Sequence, residues 1–194
     1  MSNLSVLLNG KIGNLFLNFE HHFKNDGITI LYGPNGSGKT TIFSALGGFI
    51  NSIETRIIFN GNELHNIDKY PPNKRPFGTM FQNPILFEHF NVEENLDFVI
   101  KRNQIKNQNK SSISKEYLIK HLELNSLLKR SPENLSGGEK LRVVLARTIL
   151  KQPKYLLLDE PMSDLDIKYK AKLLVFLKNF NKKFKIPILY LSLI

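Results

Sequence analysis

Residues 27–48 read GITILYGPNGSGKTTIFSALGG. An apolar run is followed by a turn holding Gly33, Gly36 and Gly38, and then by a helical pattern from Thr41 onward. Residues 33–40 fit G-x-x-x-x-G-K-[ST] with a strand before and a helix after, the context in which that motif has a physical meaning. The constraint on fold is tight: a strand, a curled turn of backbone N–H groups and a helix amino terminus must follow one another without a gap. Backbone donors curled in this way cradle a phosphate chain, and the helix end adds partial positive charge. Gly33, Pro34, Asn35, Gly36, Ser37, Gly38, Lys39, Thr40 and Thr41 are therefore the candidate nucleotide-binding loop. Lys39 would contact the β and γ phosphates, and the Thr40 hydroxyl would ligate Mg²⁺. The plainer account, a glycine-rich turn with an incidental lysine, leaves the flanking strand and helix unexplained.

Further apolar runs bounded by turn residues fall at 56–59, 155–158 and 186–194, with helical patterns between several of them. Such alternation predicts an α/β protein, a P-loop core with a mostly parallel sheet flanked by helices. YLLLDE and ILYLSLI are continuous apolar runs, as buried parallel strands require. Between residues 83 and 150 the texture is helical, interrupted by the polar stretch KRNQIKNQNKSSISK, which reads as a mobile loop or linker. The expected organisation is a discontinuous P-loop core, 1–82 and 151–194, with a helical subdomain at 83–150. Apolar and charged fractions of 41% and 23% suit a soluble globular chain of 194 residues. No apolar run approaches the roughly 20 residues of a membrane helix. The start, MSNLSVLL, lacks an export signal's basic segment and cleavage site, so a cytoplasmic location is expected. Zero cysteines exclude disulfides and thiolate metal ligands. The net charge of +10 is spread over scattered lysines without an aromatic-and-basic cluster, so nucleic acid is not expected as a partner.

YLLLDEP sets Asp159 and Glu160 at the carboxyl end of a buried strand, where open α/β sheets hold their ligands. There Asp159 can hold Mg²⁺ and Glu160 can polarise a water for attack on phosphorus. An acidic turn after a core strand accounts for the pair equally well. In NLSGGEKLRVVLARTIL, Ser136 and Glu139 form an S-x-x-E capping box, and Leu141, Val144, Leu145, Thr148 and Ile149 share one helical face. A well-capped core helix explains all of that except Gly137 and Gly138. Two glycines in a first turn are unfavourable unless the backbone must approach something closely, and a phosphate presented from outside is a natural candidate.

These three motifs, in this order and spacing, resemble those of the ATP-binding subunits of ABC transporters, from about residue 6 to the last residue. The resemblance implies a head-to-tail dimer that sandwiches two ATP molecules, residues 33–40 of one copy facing Ser136, Gly137 and Gly138 of the other. It implies that Gln82, in TMFQNP, ligates Mg²⁺ and reports nucleotide state to a membrane partner. The surface around PILFEHFNVEENL would receive that permease's coupling helix, and Asp166 would sit in the communication loop across the dimer. A solute-binding protein would be an indirect partner, and the chain would lie peripherally on the inner face of the cell membrane. FNGNEL, PPNKRPFGTMFQNPILF and LSGGEKLRV look most like the ATPases of molybdate importers, with those of thiamine importers next.

Several positions depart from the family pattern. Leu141 stands where glutamine is usual and Asp164 where alanine is usual, and Ile12 lies about where an aromatic residue would stack on adenine. Leu193 occupies the place of the family's switch histidine, and the family's later helix and strands do not follow it. The expectation is therefore a truncated chain that binds Mg-ATP and hydrolyses it at or near background, since one lost transition-state contact costs about 10²-fold or more. Exposed apolar sheet surface and low solubility are expected with it. The alternative function is a catalytically weak switch that dimerises on ATP without a transport role. A soluble ABC ATPase acting on nucleic acid fits poorly, because such proteins usually carry two ATPase units in one chain.

Overall fold

The computed structural model describes residues 4–50, 53–66, 68–83, 85–106, 113–162 and 165–192. It contains two four-stranded sheets where the sequence had suggested one. The parallel sheet comprises β3 (Ile28–Tyr32), β6 (Phe77–Met80), β7 (Tyr155–Asp159) and β8 (Ile188–Ser192), in the order β3-β8-β7-β6. The antiparallel sheet comprises β1 (Leu4–Ile12), β2 (Leu15–Phe23), β4 (Glu54–Phe59) and β5 (Asn62–Glu63), in the order β2-β1-β4-β5. The apolar run at 56–59, taken as part of the parallel alternation, belongs to this second sheet and pairs antiparallel with β1. Two tight turns build it. Gly13 opens the β1–β2 turn at φ +56°, and Asn60 and Gly61 join β4 to β5 at φ +53° and +78°, the two positive angles that a two-residue Asn-Gly hairpin demands.

Among the described residues five α-helices accompany the sheets: α1 (Lys39–Gly47), α2 (Val92–Lys106), α3 (Lys115–His121), α4 (Gly137–Leu150) and α5 (Ile167–Phe184). The described residues between 83 and 150 form helices and turns only. The polar stretch read as a loop is partly helical, because α2 runs through Lys106 and Ser114 caps α3 by accepting from the Tyr117 N–H. Its residues 107–112 lie outside the described set.

β6, β7 and β8 of the parallel sheet are covered on both faces, and period-two alternation sorts their side chains. Tyr155, Leu157, Leu189 and Leu191 pack with α1 and the antiparallel sheet. Leu156, Leu158 and Ile188 pack with apolar residues of α2 to α5. β7 is therefore buried at all five positions. β8 is central, paired with β3 on one side and β7 on the other. β3 is an edge, and its Ile30 and Tyr32 are 58% and 71% exposed. The face assigned to α4 was too narrow: Val143, Ala146 and Leu150 are buried along with the five residues named from periodicity. Leu141 is buried in that core, which is the local reason for an apolar residue there.

Candidate nucleotide site

The four parallel strands point the same way, so the segments after them meet at one edge. The glycine loop follows β3, Gln82 follows β6, and Asp159 and Glu160 end β7. Within the loop Gly36 and Gly38 have φ of +78° and +93°, values a side chain strains to adopt. Gly38 is also crowded, since a Cβ there would lie 2.9 Å from Leu17 and 3.3 Å from Leu15. The Lys39 ammonium folds back over the loop and donates to the carbonyls of Gly33 (2.6 Å) and Pro34 (2.9 Å). α1 begins without a side-chain cap and without an acidic residue in its first turn, leaving its amino-terminal N–H groups for another acceptor.

Thr40, Gln82 and Asp159, the three residues proposed from sequence as metal ligands, line one cavity of about 390 Å³. A hydroxyl, an amide oxygen and one carboxylate suit Mg²⁺, which takes few protein oxygens and completes its shell with phosphate and water. Among the described residues no cluster of three or more His, Cys, Asp or Glu offers a rival metal site. The Asp159 carboxyl is pushed up to about 6, first by burial and then by the charge of Glu160, against the opposing pull of Lys39. Glu160 accepts a hydrogen bond from Gln82 Nε2 at 3.3 Å. Its backbone sits at φ +45°, a left-handed conformation unusual for a non-glycine residue, with the N–H donating to Leu191 O at 3.1 Å. A larger cleft of about 430 Å³ between α3, α4 and α5 gathers none of the sequence-predicted site residues.

The capping box at Ser136 and Glu139 is present, with the two reciprocal bonds at 2.8 and 3.3 Å. The adjacent glycines separate into two cases. A Cβ on Gly138 would lie 2.7 Å from Leu165, so an internal contact accounts for it, whereas one on Gly137 would meet nothing within 4 Å. Asp166 caps α5, accepting from the Tyr169 N–H at 2.9 Å. Ile12 pairs with Leu15, one of the two leucines against Gly38, while the exposed Phe16 lies on the opposite face of β2. Asp164 and Leu193 lie outside the described residues. Two side chains that the sequence did not flag, Arg147 and Asn95, hold the segment beyond Gln82.

The ABC transporter family profile matches residues 16–163. The chain belongs to the ABC transporter family. It is 38% identical over 198 residues to a molybdenum import ATP-binding protein of Saccharophagus degradans, covering 99% of this chain and 53% of that protein. To the protein of the same name in Escherichia coli K12 it is 36% identical over 184 residues, 93% of this chain and 50% of the relative. The chain thus spans about half the length of these curated relatives. Among solved structures, a dimeric ATP-binding cassette in a post-hydrolysis state with ADP and Pi superposes with a TM-score of 0.79, 23% identity and coverage of 99% of this chain and 88% of that one. This likeness establishes the ABC-cassette fold with its two sheets and helical layer. No helix among the described residues is long and apolar enough to cross a membrane.

Proposed function

We propose that this member of the ABC transporter family is the ATP-binding and ATP-hydrolysing subunit of an importer for a small solute, with a molybdate-like oxyanion favoured. The convergence of Thr40, Gln82 and Asp159 on one cavity beside the Lys39 loop carries this reading. Gly33, Pro34, Asn35, Gly36, Ser37 and Gly38 wrap the phosphates through backbone N–H groups and Lys39 exchanges its two carbonyl partners for phosphate oxygens. Thr40, Gln82 and Asp159 would hold Mg²⁺, which would neutralise phosphate charge. Glu160, oriented by Gln82, takes the proton of the attacking water.

A second copy supplies Ser136, Gly137 and Gly138 across a head-to-tail dimer. The open face at Gly137 and the α5 cap at Asp166 support that placement. The division into a core at 1–82 and 151–194 with a helical subdomain at 83–150, a peripheral position at the membrane, and a permease partner belong to the same proposal. The favoured solute follows from the molybdenum import for which the similar proteins are named. Calorimetric titration with Mg-ATP tests the nucleotide site: the 194-residue protein is expected to bind, and Lys39→Ala to lose affinity at least tenfold. Equal affinity in the variant would remove the loop from the site.

A further inference from the structure

Residues 85–91, ahead of α2, are held by two polar side chains with a division of labour. Asn95, fully buried on α2, is saturated: its Oδ1 accepts from the Phe87 N–H at 2.9 Å, and its Nδ2 donates to the carbonyls of Phe87, Phe90 and Asn91 at 3.0 to 3.1 Å. Asn95 therefore moulds residues 87–91 onto α2. Arg147, on α4, ties that unit to a second helix. Its Nη1 donates to Asn95 Oδ1 at 3.2 Å, its Nη2 to Ile85 O at 2.5 Å, and its guanidinium lies 4.8 Å from the Phe87 ring centroid. Among the described residues it forms no salt bridge, so its partners are a carbonyl, an amide and a ring. It also lines the cavity that contains Thr40, Gln82 and Asp159.

Arg147 thus grips the chain three residues after Gln82 from the helix whose first turn is Gly137 and Gly138. From Ser136 to Arg147 that helix is a rod of roughly 16 Å. Resting on the nucleotide site proposed above, we propose that Arg147 is a positioning residue, acting through Gln82: it sets how closely the Gln82 amide approaches the Mg²⁺ position and couples that approach to the glycine end of α4. A planar fork that makes two bonds in different directions suits this role, and lysine, a single flexible point charge, does not reproduce it.

The two helices make the prediction specific. Losing Arg147 leaves the glycine loop and Lys39 untouched, so it should act only on the part of nucleotide affinity that depends on Mg²⁺. In calorimetric titrations Arg147→Ala is expected to weaken Mg-ATP about tenfold or more, the scale of lost outer-shell support for a metal ligand, with ATP in EDTA unchanged within about twofold. In a Gln82→Ala background Arg147→Ala should then have no further effect, because a residue that acts through Gln82 has nothing left to act on. Arg147→Lys should fall between wild type and Arg147→Ala. If circular dichroism shows Arg147→Ala unfolded, Arg147→Lys and Arg147→Gln carry the same cycle. Equal weakening with and without Mg²⁺, additive loss in the double variant, or no loss at all would overturn the assignment while leaving the nucleotide site standing. Absence of Mg-ATP binding by the wild-type chain would overturn both.

Discussion

Asp159 carries the clearest conflict between stability and the proposed metal-holding role at the level of a single residue. Its carboxyl is raised from 3.8 to about 6 by burial and by Glu160. The unfolded chain releases that proton near pH 4, whereas the folded chain keeps it to about pH 6. Between those values the folded state holds more protons, so stability falls as pH rises, and above pH 6 the loss is constant. Asp159→Asn removes it. The variant is expected to be more stable at pH 7.5 by on the order of 3 kcal/mol, with the advantage shrinking toward pH 4 in urea unfolding. A gain of the same size at both pH values would mean that the ionised carboxylate is not the source. The candidate site residues stand out in sequence because each lies in a short motif with its own local chemistry. Arg147 and Asn95 do not, because an arginine and an asparagine inside helices carry no local signature, and their partners are main-chain groups brought by other parts of the chain.

Individual elements show how far local rules reach. The start of α4 followed from its capping box, and the strand–turn–helix of the glycine loop from its motif. The reason for Gly138 did not follow, since Leu165 approaches it from beyond β7. This separates the two glycines experimentally. Gly137→Ala fills open space in a helical turn and should raise the unfolding free energy by up to about 1 kcal/mol. If a second copy's phosphates approach there, the same change should lower the dimer fraction in Mg-ATP measured by analytical ultracentrifugation. An unchanged dimer fraction would dismiss close approach at Gly137. Gly138→Ala should instead destabilise the isolated chain, by pressing on Leu165. α1 is fixed at its other end as well: Arg75 donates to the carbonyls of Ala45 and Leu46 at its carboxyl terminus and to those of Leu64 and Tyr70. Burial lowers the Arg75 pKa to about 10, and no local pattern announces such an anchor.

At the scale of the molecule, the antiparallel sheet and a helical layer enclose the parallel sheet, and among the described residues β3 is its far edge. β3 exposes Ile30 and Tyr32 at that edge, and a strand edge with apolar side chains invites pairing between chains. Ile30→Lys combined with Tyr32→Thr should reduce light scattering on concentration while changing stability by less than about 0.5 kcal/mol, as surface changes usually do. Undiminished scattering would place the association elsewhere. The sequence alone determined what is encoded within a few adjacent residues: the glycine loop between strand and helix, the acidic end of β7, the capped helix, and the α/β alternation. Signals for the antiparallel sheet, the Gly13 and Asn60-Gly61 turns, were present but short, and a two-residue turn says only that neighbours pair, not which sheet they join. Tertiary structure decided which separated motifs share a cavity, that β8 is central, and that Arg147 holds the Gln82 segment. Those are outcomes of packing, in which strand order and the burial of both sheet faces set distances between residues that the chain itself keeps up to about 120 positions apart, as between Thr40 and Asp159.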